Sequence, residues 1–148
     1  MTGRGCHYVA PTAGVVDEVT AVDTWSSRTN LGAARGGLSV SIVGDDGVRY
    51  YGSHLEKIAA GIVPGARVTA GQLLGLVGNS GDAAGIHPHV HFGMSWPTAH
   101  GIWWVRRGWV SPYRFLRAWQ SHVGLSPSAA VAAAHKAAGD NPKCQVYC

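Results

Sequence analysis

The chain has 148 residues, 46% of them hydrophobic and 14% charged, with 21 glycines and a formal net charge of +4. That suits one folded domain with a real core and excludes a disordered chain. The twelve Lys and Arg are scattered, with only Arg106 and Arg107 adjacent. This excludes the concentrated basic face of a nucleic-acid binder, and no apolar run reaches the length of a membrane span.

In chain order, YVAPTAGVVDEVTAV from residue 8 reads as a loop around Pro11 and Gly14 followed by a β-branched strand. A polar loop follows. Leu38, Val40 and Ile42 then alternate with Ser39 and Ser41, the period of a half-buried strand. Asp45-Asp46-Gly47 predicts a hairpin turn into a second strand, VRYYGSH, ending at His54. Leu55 to Ala60 is predicted as a short helical turn. VPGARVTAGQLLGLVGNSG spaces its glycines for short strands that approach closely. His89 to Phe92 reads as a strand entered through Pro88. Ser111-Pro112 and Ser126-Pro127 each predict a helix start, with stops near Gly124 and Gly139. The reading is a β domain over residues 5–97 and a Trp-rich, helical extension over 98–148.

Cys6, Cys144 and Cys148 have no zinc-finger spacing. Cys144 and Cys148 are close enough for a small terminal loop that would leave Cys6 over, as in a secreted protein with one disulfide, although sequence does not fix connectivity. Met1 to Cys6 contains no apolar stretch of a signal peptide.

The chain has eight histidines. His89 and His91 stand two apart, so in a strand both rings emerge on one face while Val90 and Phe92 turn to the core. That brings two imidazoles to one metal or one substrate. His54 ends a different strand. His87 reads as a loop residue, His7 is ambiguous, and His100, His122 and His135 read as surface or helix residues.

The ordered set His54-Leu55, Gly71-Gln72, Leu74-Gly75, Val77-Gly78, Ser80-Gly81 and His89-Val90-His91-Phe92 resembles the lysostaphin/LytM-like zinc metallopeptidases, which cut peptides of bacterial peptidoglycan. The resemblance covers roughly residues 8 to 95. It implies a mostly β fold of the duplicated-hybrid-motif kind: two antiparallel sheets as a sandwich or partly open barrel, with a C-terminal α-helical tail. It implies zinc as cofactor with His91 as a ligand, and catalytic roles for His54 and His89. In such enzymes zinc polarises water and the scissile carbonyl while histidines move protons. The implied partner is a peptidoglycan peptide, met by a monomer outside the cell or at its wall. One local departure stands out: the family usually has an aromatic residue two before the first catalytic histidine, and here that residue is Gly52.

The family draws two further ligands from a His-x-x-x-Asp segment ahead of the first glycine-rich loop, and only eight residues precede VAPTAG here. Neither His7 nor Asp17 matches that motif. The expectation is an N-terminally shortened chain, inactive as it stands because one matched ligand holds zinc too weakly. Two alternatives compete with it: a non-catalytic relative that binds cell wall or regulates another hydrolase, and a metal site rebuilt from Cys6, His7, His89 and His91. Phosphocarrier domains share the architecture, but phosphotransfer needs no His-x-His pair.

Overall fold

The computed structural model describes residues 3–144. Seven strands, β1 (His7–Val9), β2 (Gly14–Thr20), β3 (Leu38–Gly44), β4 (Arg49–Ile58), β5 (Arg67–Val68), β6 (Leu73–Val77) and β7 (His91–Ser95), are followed by helices α1 (Trp103–Arg106), α2 (Tyr113–Gln120) and α3 (Ser128–Ala138). The fold is mostly β, as expected. Its antiparallel ladders join into one sheet of order β1-β6-β4-β3-β2-β5, curled into a half-barrel, with β7 also paired to β4.

β4 organises the molecule. One edge pairs with β3; the other pairs with β7 from Arg49 to Ser53 and with β6 from Leu55 onward. The helical turn predicted after His54 does not form, because Leu55, Lys57 and Ile58 take ladder partners on β6. The hairpin turn is where expected: Gly47 adopts a positive φ of 78°, and the Asp46 carboxylate accepts from the Val48 N–H at 3.1 Å.

The β3–β4 hairpin is buried on both faces rather than half-buried. Val40, Ile42 and Tyr50 enter the apolar core, while Ser39, Ser41 and Arg49 on the opposite face are covered as well. The cover there is the segment after β7. Arg106 donates to Asp17 at 2.7 Å and to Glu18 at 2.7 Å, and Arg49 donates to Asp17 at 2.6 Å and to the Arg106 carbonyl. Both carboxylates reach this network because β2 bulges between Val16 and Glu18, where an extra residue is inserted.

The C-terminal segment shares the core: Val105, Phe115 and Val131 are buried in the same cluster as the sheet. Trp104, Trp109 and Trp119 pack against that cluster, whereas Trp103 lies outside it. Both predicted helix starts fall one position later than expected, with Pro112 and Pro127 at the N-caps and no side-chain cap on either helix; the Ser126 hydroxyl, one residue before the cap of α3, accepts from the Ser128 N–H at 3.3 Å. Cys6 is free and exposed, and Cys144 is disulfide-bonded. Cys148 lies outside the described residues.

Candidate active site

His54 is not at the end of its strand. It sits inside β4, at the point where the strand changes partner from β7 to β6. Between the pairs Val40–Gly52 and Leu38–Leu55, Ser53 and His54 together oppose the single residue Ser39, which makes a bulge. The bulge residue takes φ 62°, a left-handed conformation that few side chains adopt and that histidine enters more often than most. Its backbone is satisfied off the ladder: the N–H donates to Gly36 at 2.9 Å, and the carbonyl accepts from Gly78 at 3.0 Å.

Ser80 fixes this irregular turn from the side. Its hydroxyl donates to the Leu55 carbonyl at 2.7 Å and accepts from the Leu38 N–H at 2.9 Å, tying β3 to β4 beside the bulge. Its own carbonyl lies 2.8 Å from His54 Nδ1. Gly81 next to it has φ 67°, and a Cβ there would collide with the Arg35 carbonyl, so the motif's Ser-Gly pair is needed for packing.

The three histidines predicted for the site are brought together. Ring centroids of His54 and His89 are 5.0 Å apart, and those of His54 and His91 are 6.2 Å apart. His89 precedes β7 instead of lying within it, yet the two-residue alternation still holds, since Val90 and Phe92 pack against the core.

Each ring is oriented by a backbone carbonyl: His54 Nδ1 by Ser80, His89 Nδ1 by His87 at 2.9 Å, and His91 Nε2 by Arg107 at 3.0 Å. A carbonyl can only accept, so in the neutral ring the bonded nitrogen carries the hydrogen. The bare nitrogens are therefore Nε2 of His54, Nε2 of His89 and Nδ1 of His91. Burial is the main cause pushing His54 below its ordinary pKa of 6.5. His91 is open to solvent on one side, but desolvation by the protein packed around its ring lowers it too. Neutral imidazoles, with lone pairs for a proton or a metal, are the result.

Three neighbours escaped the sequence reading. Tyr51 places its ring edge against His91 at 6.1 Å between centroids. The Asp82 carboxylate lies 3.9 Å from His54 Nε2. Ser53, opposite His91 in the ladder, keeps a buried hydroxyl with no partner among the described residues. Tyr51 was adjacent to a noted departure from the family pattern; nothing in the sequence flagged Asp82 or Ser53. The departure itself is explained by Tyr8, whose ring lies where a side chain on Gly52 would be. An aromatic group is thus supplied from β1 instead of β4.

The model of Peptidase family M23 matches residues 3–101. The chain belongs to that family. It is 30% identical over 121 residues to an "L-Ala--D-Glu endopeptidase" of Bacillus subtilis (strain 168), a match covering 78% of this chain and 33% of the relative. The chain thus spans about a third of the length of the curated relative it matches. The catalytic domain of the antimicrobial peptidase lysostaphin from Staphylococcus simulans shares its fold at TM-score 0.58 and 24% identity, over 79% of this chain and 74% of that one. A zinc containing peptidase from Vibrio cholerae shares it at TM-score 0.51 and 24% identity, over 74% of this chain and 26% of that one.

His91 suits a metal ligand, because a ligating histidine usually donates its other ring N–H to a carbonyl or carboxylate. One such donor is too few, since a catalytic zinc takes three protein ligands. Among the described residues no three His, Cys, Asp or Glu side chains are grouped to hold a metal ion. The rebuilt group of Cys6, His7, His89 and His91 does not form. His7 instead lines an apolar recess with Val77, Val90 and Phe92. The described residues alone do not fit a catalytic zinc.

Proposed function

We propose that this chain carries the proton-handling and peptide-binding face of a zinc-dependent peptidoglycan endopeptidase, and that as it stands it binds wall peptides without cutting them. The observation that carries this reading is the convergence of three imidazoles, each with its bare nitrogen set by a backbone carbonyl. His91 would serve as a metal ligand only where further donors completed a site. His54 and His89 would then be the acid–base pair, a neutral imidazole taking a proton from water and its partner giving one to the leaving amine. The Bacillus subtilis relative is an L-Ala--D-Glu endopeptidase by name. The same class of wall peptide is assigned to this chain, acting as a monomer outside the cell or at its wall. Residues 5–97 are the peptidase domain and residues 98–148 an extension, whose helices α1, α2 and α3 bury Val105, Phe115 and Val131 against it.

The purified chain should hold far less than one zinc per molecule, co-sediment with insoluble peptidoglycan, and leave a cell-wall suspension turbid. Stoichiometric zinc with clearing would show the inactive part of this reading to be wrong. Failure to sediment with peptidoglycan would remove the wall-peptide assignment altogether.

A further inference from the structure

A recess of about 100 Å³ opens beside the histidines, lined among others by Glu18, Ser39, Tyr51, His100, Trp103 and Arg107. It adjoins the cleft directly. Tyr51 meets His91 edge-on, and the backbone carbonyl of Arg107 is the one that orients His91. His100, Trp103, Arg106 and Arg107 all come from the segment after β7, so that segment forms one wall of the recess.

The charges in the recess are not balanced. Glu18 accepts from Arg49 at 3.0 Å and from Arg106 at 2.7 Å, and its other oxygen is 3.6 Å from His100 Nδ1. Its charge is therefore already neutralised from behind. Arg49 and Arg106 spend theirs on Asp17 and Glu18. Arg107 differs: its guanidinium donates to the neutral carbonyl of Gly32 at 3.3 Å and has no carboxylate partner among the described residues. A guanidinium left with free N–H groups in the lining of a partly desolvated recess favours a carboxylate, which it can bind through two parallel hydrogen bonds. The volume corresponds to about three water molecules, enough to admit a carboxylate.

We infer that Arg107 is a specificity-determining residue, and that this recess takes the free carboxylate of an acidic residue in the bound peptide, next to the bond presented to the histidines. The inference rests on the reading of the cleft as a wall-peptide site. It adds that acidic peptides are preferred to neutral ones.

The test uses the full chain and two probes, the amides of acetyl-L-Ala-D-Glu and acetyl-L-Ala-D-Gln, which differ only in one carboxylate against its carboxamide. Binding is read by NMR titration, independently of metal and turnover. The acidic probe should bind about tenfold more tightly, the range of one charge-assisted hydrogen-bonded contact. Arg107→Gln should bring the two probes within about twofold, and Arg107→Lys should keep part of the preference because it keeps the charge. The His91 ring nitrogen shifts, checked in both variants, should stay at their wild-type positions, showing that the Arg107 carbonyl has not moved. Equal affinity of the wild-type chain for both probes would overturn the inference, as would a preference that survives Arg107→Gln. Either result leaves peptidoglycan sedimentation intact, whereas loss of sedimentation marks the failure of the wall-peptide reading instead.

Discussion

The two faces of the β4–β7 ladder make a sharp contrast. On one side Tyr50 stacks on Phe92 at 6.2 Å, both meet Trp119, and Tyr8 lies over Gly52, an apolar face. On the other side stand Arg49, Tyr51, Ser53 and His91, which carry ions, hydroxyls and imidazole. The same strands produce both, because side chains alternate at period two. The chemical face is held by charge and backbone carbonyls, whereas the opposite face is held by packing. The two should therefore fail differently.

The largest effect is expected at the charge network. Arg49→Met removes the fully buried cation that joins Asp17, Glu18 and Ser41, and should cost about 3–5 kcal/mol in chemical denaturation. A loss under 1 kcal/mol would mean that Arg106 holds both carboxylates alone. Next comes the apolar face: Gly52→Ala drives a methyl group into the Tyr8 ring and should cost about 1–3 kcal/mol. Adding Tyr8→Leu should recover part of that loss, and strict additivity in the double-mutant cycle would refute the contact.

Acid should act on the chemical face in two steps. The pKa values of His54 and His91 are lower folded than unfolded, so the unfolded chain binds more protons just below 6.5. Stability is thus complete above pH 6.5 and declines as pH falls toward the depressed folded values. Asp17 follows. Burial alone would raise its carboxyl, but its hydrogen bond to Arg49 and the nearby arginine charges hold it below 3.8. Its contribution is present above pH 3.8 and is lost as pH falls through its folded pKa. In His54→Gln the first step should shrink, as read by melting temperature between pH 7 and 5; an unchanged profile would contradict the neutral assignment. The smallest effect is expected on α3, where His135 lies flat on Trp96 at 4.8 Å. His135→Ala should cost about 0.5–1.5 kcal/mol, measured in the same denaturation assay.

Much of this was legible beforehand. Leu38, Val40 and Ile42 alternate as a strand must, Asp45-Asp46-Gly47 turns it, and the spacing of His89 and His91 requires two rings on one side. The family resemblance placed His54 with them. Tyr8 was not legible as the replacement for the aromatic missing at Gly52, since residues 44 positions apart in sequence meet only through the β1–β6–β4 pairing. Nor was the covering of Ser39 and Ser41, because a period-two pattern cannot reveal that a later segment folds back over its polar side.

Alone, then, the sequence determined the alternation, the turns, and the chemistry of three imidazoles. Only tertiary structure decided where that alternation breaks. One inserted residue in β2 turns both Asp17 and Glu18 toward the arginines, and one in β4 turns His54 toward His89 and His91. A bulge exists only relative to the strand beside it, so its position is set by the register of the neighbouring ladder and not by any local run of residues.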